Sequence, residues 1–364
     1  MTRIAVLGAG AGGAAAAVEL VAAGHQVALW GRSERTLAPF RAQGGIVHDG
    51  VLGSSIARPQ LITDDLNAAI AGMDAILVCL PTFAHADIAG ALARTGLGQP
   101  VILNPGHTGG ALEFRQCFCG RGKAPPPIAE FSTLTYVARK YAPGSVTITG
   151  RAKSVRLAAL PGGEAASAIA QALFASAKLM PDVLACDLAN VNMVLHTPGA
   201  LLGAAWVEAT RGDFAFYVQG MTPGVARVMD ALDRERLAVA RAFGHDLPPL
   251  VDEMRAIGTV DAPPNVSDLV AAISAGEANR RIKAPDSLAH RYYREDFGHG
   301  LLPFTVLAGI ANVDVPTAAA LIELAQTLLG VDFAVQGRTA ERMGIAGLDR
   351  SGLLKLVGAK AHGK

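Results

Sequence analysis

The chain opens on a short β-branched and apolar stretch, Arg3 to Leu7, followed by Gly8-Ala9-Gly10-Ala11-Gly12-Gly13 and an Ala-rich run to Ala23. This order predicts a strand, a glycine turn and a helix. Gly24 stops the helix and Gln26 to Trp30 predicts a second strand, so a β-α-β unit closes within about thirty residues. Ala75 to Leu80 and Val101 to Asn104 are continuous apolar runs, the form taken by parallel strands covered on both faces. Beyond the loop Gly120 to Pro127 comes Ile128 to Ala138. Ser145 to Thr149 and Ser154 to Ala159 then alternate in a way that predicts a terminal hairpin. Pro161-Gly162-Gly163 marks a turn, Ala165 to Ser176 predicts a closing helix, and the first domain should end near Val183.

The period changes in the second half. From Asp187 onward apolar residues recur at three- and four-residue spacing through Trp206, again from Val225 to Phe243, and from Pro316 to Leu329. That spacing predicts an all-helical domain. Its connectors carry Pro and Gly: Gly220-Met221-Thr222-Pro223-Gly224, Asp261-Ala262-Pro263-Pro264 and Lys283-Ala284-Pro285. The expected architecture is an α/β Rossmann-type N-terminal domain over 1–183 with an all-α C-terminal domain over 184–364. The most apolar stretch, Val183 to Val207, is broken by Asp187, Asn190, Asn192, His196 and Pro198, so it reads as buried helix and not as a membrane span.

Composition narrows the class. At 364 residues the chain is too long for one compact core and suits two domains. Hydrophobic residues make up 51% and charged ones 17%, which excludes a disordered chain. Lys and Arg number 32 against 31 Asp and Glu, a formal charge of +1, and so balanced a chain lacks the electrostatic footprint of a nucleic-acid binder. Small-molecule ligands fit better. Cys79, Cys117, Cys119 and Cys186 have neither zinc-ribbon spacing nor the density of a disulfide framework, so no metal is expected and a reduced, cytoplasmic setting fits. The first strand begins almost at the initiator Met, which makes export unexpected.

Gly8, Gly10 and Gly13 match G-x-G-x-x-G: the first makes the tight turn, the second lets a pyrophosphate approach, and the third lets the helix pack closely. In a Gly-rich chain the pattern alone also fits a structural turn, and it is the strand–turn–helix setting that favours a dinucleotide. Ligands in open α/β sheets sit at the C-terminal ends of strands. Those ends read Leu80-Pro81-Thr82 and Asn104-Pro105-Gly106-His107-Thr108-Gly109-Gly110, which makes Pro81 and Asn104 candidate cofactor contacts. Where NAD-preferring folds carry an acid after the second strand, this chain has Gly31, then Arg32, Ser33 and Arg35. Cations and a hydroxyl suit a 2′-phosphate, so NADPH is the expected cofactor, with NADH left open. A solvated basic turn is the competing reading, and Glu34 counts against a phosphate site.

In the helical half, Asn192 and His196 are spaced i, i+4 among Val, Met and Leu, hence on one apolar face. Downstream stands the charge-dense Arg291-Tyr292-Tyr293-Arg294-Glu295-Asp296-Phe297-Gly298, which alone reads as a surface turn. Together with the glycine loop, Asn104 to Arg115, Asn190 to His196 and Tyr217-Val218-Gln219-Gly220-Met221-Thr222-Pro223, these segments resemble the octopine/nopaline (opine) dehydrogenase family over nearly the whole chain. The resemblance is strongest to bacterial N-(1-carboxyethyl) amino acid members. It implies a His196–Asp296 acid–base dyad, and an NAD(P)H-dependent reductive condensation of an amino acid or amine with a 2-oxo acid. Arg291 would then bind the oxo-acid carboxylate, with a structural salt bridge as the alternative; Asn192 and Thr108 would contact substrate. No membrane or nucleic-acid partner is implied, and a homodimer stays open.

Three positions depart from the family pattern. His-Pro becomes His196-Thr197-Pro198, Asp-Val-Pro becomes Asp296-Phe297-Gly298, and the Asp after the second strand becomes Gly31. A reductase resembling ketopantoate reductase or glycerol-3-phosphate dehydrogenase is the main alternative. Such enzymes use a catalytic Lys, and Lys123, Lys140, Lys153, Lys178 and Lys283 stand in no matching motif. A non-catalytic NADP-binding sensor would not need the His196 and Asp296 constellation. Cys117-Phe118-Cys119 and His245-Asp246 read as core and turn residues.

Overall fold

The computed structural model describes residues 1–260, 268–280 and 282–359; the connector expected at 261–264 lies outside the described residues. Twelve strands are present among them: β1 (Arg3–Leu7), β2 (Gln26–Trp30), β3 (Ile46–Gly50), β4 (Ser55–Ala57), β5 (Leu61–Thr63), β6 (Ala75–Val78), β7 (Val101–Leu103), β8 (Ile128–Phe131), β9 (Tyr136–Arg139), β10 (Ser145–Arg151), β11 (Val155–Ala159) and β12 (Ala177–Leu179). Eight form one sheet in the order β12-β11-β8-β7-β6-β1-β2-β5. All its neighbours are parallel except β8 and β11. Strand order reverses at β1, which lies between β2 and β6, and that reversal opens the crevice where such sheets bind ligands.

Val6 sits between Leu29 and Leu77, and Leu7 between Trp30 and Val78, so the sheet centre is apolar on both faces. The period of two sends Ile4 and Val6 toward the helix Ala11–Ala22, while Ala5 and Leu7 join a core that runs on into the helical half. Both faces therefore bury their side chains. The helical half contains, among others, Val183–Asp187, Val191–Leu202, Pro223–Ala242, Arg291–Asp296 and Pro316–Leu329. The apolar stretch Val183 to Val207 is three consecutive helices and largely buried. No single helix among the described residues is long and apolar enough to cross a membrane.

The expected terminal hairpin is not formed. β10 lies in a second, four-stranded sheet, order β4-β3-β10-β9, while β11 joins the large sheet beside β8 and β12. Ile128 to Ala138 likewise splits into β8 and β9, one in each sheet. Alternation reports that a strand has one buried face and is silent on which sheet buries it. Strands β3, β4 and β5, short and polar in part, were not anticipated. The closing helix spans Glu164–Leu173, and its expected last turn is replaced by the entry to β12.

Candidate active site

The glycine turn closes in the crevice between β1 and β6. Gly8 has φ +128°, and a Cβ there would stand 2.3 Å from the Cys79 carbonyl oxygen; one on Gly13 would stand 1.8 Å from the Gly8 oxygen. Those two glycines are demanded by the fold. Gly10 is exposed, and a Cβ on it would meet nothing within 4 Å. The helix Ala11–Ala22 begins at Gly10 with no side-chain cap, so its first N–H groups are left to an anion. The open space over Gly10 and the uncapped helix fit a dinucleotide pyrophosphate. Past the end of β2, Arg32 and Ser33 are exposed. Glu34, the acid that argued against a phosphate here, is paired with Arg41, which also holds Asp64 at 3.1 Å.

In the helical half, His196 lies on Val191–Leu202 and Asp296 at the end of Arg291–Asp296. His196 Nδ1 is 2.8 Å from Asp296 Oδ2, and both side chains are almost wholly buried. His196 Nε2 is 2.7 Å from the Tyr217 hydroxyl, and the ring stacks on Tyr292 at 4.0 Å between centroids and 17° between planes. Burial pushes the Asp296 carboxyl up, but the charge and hydrogen bond of His196, with His107 and Arg291 nearby, hold it net below the ordinary range. An ionised Asp296 accepts from Nδ1–H, which leaves Nε2 as the acceptor for the Tyr217 O–H. Burial, with Tyr292 beside it, pushes the Tyr217 phenol well up, so that hydroxyl keeps its proton.

One turn before His196, Asn192 Nδ2 lies 3.5 Å from His107 Nε2 and 3.4 Å from the Thr133 hydroxyl. The arrangement is a buried imidazole whose tautomer is fixed by the Asp296 carboxylate on one side and the Tyr217 hydroxyl on the other.

The family model for the alpha-helical domain of NAD/NADP octopine/nopaline dehydrogenase matches residues 179–329, and that for ketopantoate reductase matches residues 4–104. An opine dehydrogenase of Arthrobacter sp. (strain 1C) is 34% identical over 356 residues, 97% of this chain and 98% of that one. The chain belongs to the opine dehydrogenase family. It is an NAD(P)-dependent oxidoreductase acting on CH–NH bonds, with the NAD(P)H-dependent opine dehydrogenase activity of that family. Octopine dehydrogenase of Pecten maximus is 26% identical over 79% of this chain and 78% of its own. The solved structure of octopine dehydrogenase in complex with NADH and agmatine shares the fold, with a TM-score of 0.78 at 21% identity and both chains covered in full. Yersinopine dehydrogenase with NADP+ bound gives a TM-score of 0.73 at 17% identity over 94% of this chain and 97% of the other. The ketopantoate reductase family model matches within the first half, residues 4–104, and the octopine/nopaline dehydrogenase model matches the helical half.

Within this opine dehydrogenase architecture, Arg291 is half exposed and lies 3.4 Å from Glu295, whose other oxygen accepts from the Thr82 backbone N–H at 2.9 Å. Glu295 thus joins the turn after β6 to the dyad helix. Two expected ligand contacts are placed differently. Asn104 is completely buried, donating to the Thr135 hydroxyl at 2.9 Å and accepting from the Thr135 N–H at 3.2 Å. Thr108 is also completely buried, its hydroxyl between the Asp187 carbonyl at 3.3 Å and Asn190 Nδ2 at 3.2 Å. Both side chains are buried and hydrogen-bonded inside the protein. Pro81 introduces the turn Thr82–Ala84 at the crevice.

Tyr217, Tyr292, His107 and Arg338 enter the site without having been singled out. The two tyrosines stood in quoted motifs, so the motif itself was the available signal. His107 is buried with φ +58°, a conformation rarely taken by a residue with a side chain. Fully buried Arg338 donates to the carbonyls on either side of it, Gly106 at 3.2 Å and Thr108 at 2.6 Å, while pairing with Glu113 at 2.9 Å. Nearby, Asp187 accepts from the Gly109 N–H at 2.8 Å and Glu130 from the Ala111 N–H at 2.9 Å. Burial pushes the Asp187 carboxyl up to about 7 and, with Asp187 beside it, pushes Glu130 well above the carboxylate range. A half-open cavity of about 380 Å³, lined by Phe83, Leu288, Arg294, His299, Leu328 and Phe333 among others, is not bordered by His196, Asp296 or Tyr217.

Proposed function

We propose that this chain joins an amino acid or amine to a 2-oxo acid through an imine, with NADPH as the preferred reductant and His196 as the acid–base group. The observation that carries the reading is the His196–Asp296 contact of 2.8 Å with Nε2 turned toward the Tyr217 hydroxyl. Residues 1–183 then form the cofactor half and 184–364 the substrate half, the last strand of the large sheet ending at Leu179 and the helices beginning at Val183. The four cysteines are free thiols, in keeping with a cytoplasmic setting.

When bound, the nicotinamide supplies a hydride to the imine carbon. The remaining chemistry falls to the protein. The amine nitrogen bonds to the carbonyl carbon and the C–O bond breaks as water leaves. His196 Nε2, unprotonated at rest, takes the protons from the nitrogen and passes them to the departing oxygen, while Asp296 stabilises the transient imidazolium at Nδ1. Each turnover consumes one hydride and one proton and releases one water. The Tyr217 hydroxyl holds Nε2 until substrate replaces it. Arg291 would bind the oxo-acid carboxylate, leaving Glu295 to the Thr82 turn. Asn192, flanked by His107 and Thr133, would orient the reacting groups.

The test is NADPH oxidation over a matrix of 2-oxo acids and amines, with products identified by mass. The oxo acid alone should support little turnover, and the right amine should raise it strongly and yield a secondary amine. Full-speed formation of a hydroxy acid without amine would instead establish a ketone reductase. Losses in His196→Ala and Asp296→Ala should be far from additive in the double variant, because the pair acts as a unit. Arg291→Lys should raise the oxo-acid KM more than the amine KM, since an ammonium lacks the two parallel hydrogen bonds of a guanidinium. Equal changes in both KM values would remove Arg291 from the oxo-acid site.

A further inference from the structure

The small sheet delivers a cation to the glycine turn. β9 ends at Arg139, and the next residue, Lys140, is half-buried with Nζ 3.4 Å from the Ala9 carbonyl oxygen and 4.4 Å from the centre of the Phe40 ring. Ala9 separates the first two glycines of the turn, and a Cβ on Gly31 would stand 3.0 Å from the Ala9 Cβ. The ammonium therefore sits where the glycine turn meets the end of β2, immediately before Arg32 and Ser33.

The stretch leading to Lys140 runs from the dyad helix past the glycine turn. Thr133 lies 3.4 Å from Asn192 Nδ2, and the Leu134 side chain stands 3.0 Å from where a Cβ on Gly12 would be. Thr133 is thus at the dyad end, Leu134 over the turn, and Lys140 at the β2 end. Among the described residues no carboxylate pairs with Lys140, and burial pushes its ammonium down from the ordinary lysine range. A partly desolvated cation with no counter-charge gains most from an anion. The Phe40 ring face holds the charge in place, and of three N–H donors only one is directed to Ala9.

The geometry points to Lys140 as a binding residue for the adenosine 2′-phosphate, acting together with Arg32. The assignment rests on the NADPH reading above. The pyrophosphate is received at Gly10 and the helix start, whereas Lys140 stands on the Ala9 and Phe40 side, beside the strand end where the ribose hydroxyls of a dinucleotide lie. A lysine suits this position because a compact ammonium on a flexible stem can follow a phosphate without the planar fit an arginine requires.

Titration of the full chain with NADPH, NADH, 2′,5′-ADP and 5′-AMP tests this by direct binding. Lys140→Met and Lys140→Gln should weaken NADPH and 2′,5′-ADP by at least about tenfold while leaving NADH and 5′-AMP within about twofold, and Lys140→Arg should restore most of the loss. Equal weakening of all four ligands would place Lys140 on the pyrophosphate or in the scaffold, and overturns the assignment, as does no weakening at all. Native protein that binds 2′,5′-ADP no better than 5′-AMP would overturn the NADPH reading itself. A native preference that survives in both Lys140→Met and Lys140→Gln overturns only the role of Lys140.

Discussion

Gly8, Gly10 and Gly13 act within one turn of chain and through backbone, whereas His196 meets Tyr217 and Asp296 across 21 and 100 residues and through side chains. The first device is local: its geometry follows from glycine's missing Cβ and the helix start behind it. The second exists only because the helices Val191–Leu202 and Arg291–Asp296 pack together, aligning a carboxylate with an imidazole in a dry interior. A local device needs particular residues in one order, while an assembled one needs the whole domain to be right.

The comparison breaks most sharply at His196. His196→Ala should lower turnover by roughly 10²–10⁴-fold, the usual span for losing a general acid–base group. Cofactor binding should stay within about twofold, because the hydrogen bonds of His196 go to Asp296 and Tyr217 and not to the glycine turn. A large loss of cofactor affinity in that variant would show that the two devices are one.

Arg32→Ala should weaken NADPH by roughly 10–100-fold with NADH little changed, since a charged hydrogen bond is worth about 1.5–3 kcal/mol. Direct titration of both cofactors decides it, and equal losses would remove Arg32 from the 2′-phosphate.

Gly10→Ala sharpens the local side. A methyl there meets no protein atom, so the melting temperature should hold while cofactor affinity falls roughly tenfold, about 1.4 kcal/mol. Gly13→Ala, whose Cβ would stand 1.8 Å from the Gly8 oxygen, should instead lower the melting temperature. Similar melting curves for the two variants would contradict this division of labour.

The smallest effect concerns the seam behind the site. Asp187, pushed up to about 7, binds a proton in the folded chain that the unfolded chain has already released near pH 4. The stabilisation linked to that proton is complete below the ordinary carboxylate pKa and is lost as pH rises toward 7. Melting temperature should therefore carry a downward component between about pH 4 and 7 that Asp187→Asn removes. An unchanged slope in that variant would assign the pH dependence elsewhere.

The β-α-β opening, the parallel apolar strands and the helical second half were legible in the sequence because each rests on a short-range period that burial of one or both faces imposes. The need for glycine at 8 and 13 was legible as well, because the strand–turn–helix setting leaves no room for a Cβ there. The pairing of His196 with Asp296 was available only as a family resemblance, since nothing in the spacing of two residues a hundred apart states that they touch. Tertiary structure alone decided which sheet takes β10 and which takes β11, because alternation is the same in either. It also turned Asn104 and Thr108 inward, placed Tyr217 on Nε2 and set Lys140 beside Ala9. Local pattern records whether a residue is buried; which group it meets there depends on chain distant in sequence, and that is settled only when the domains pack.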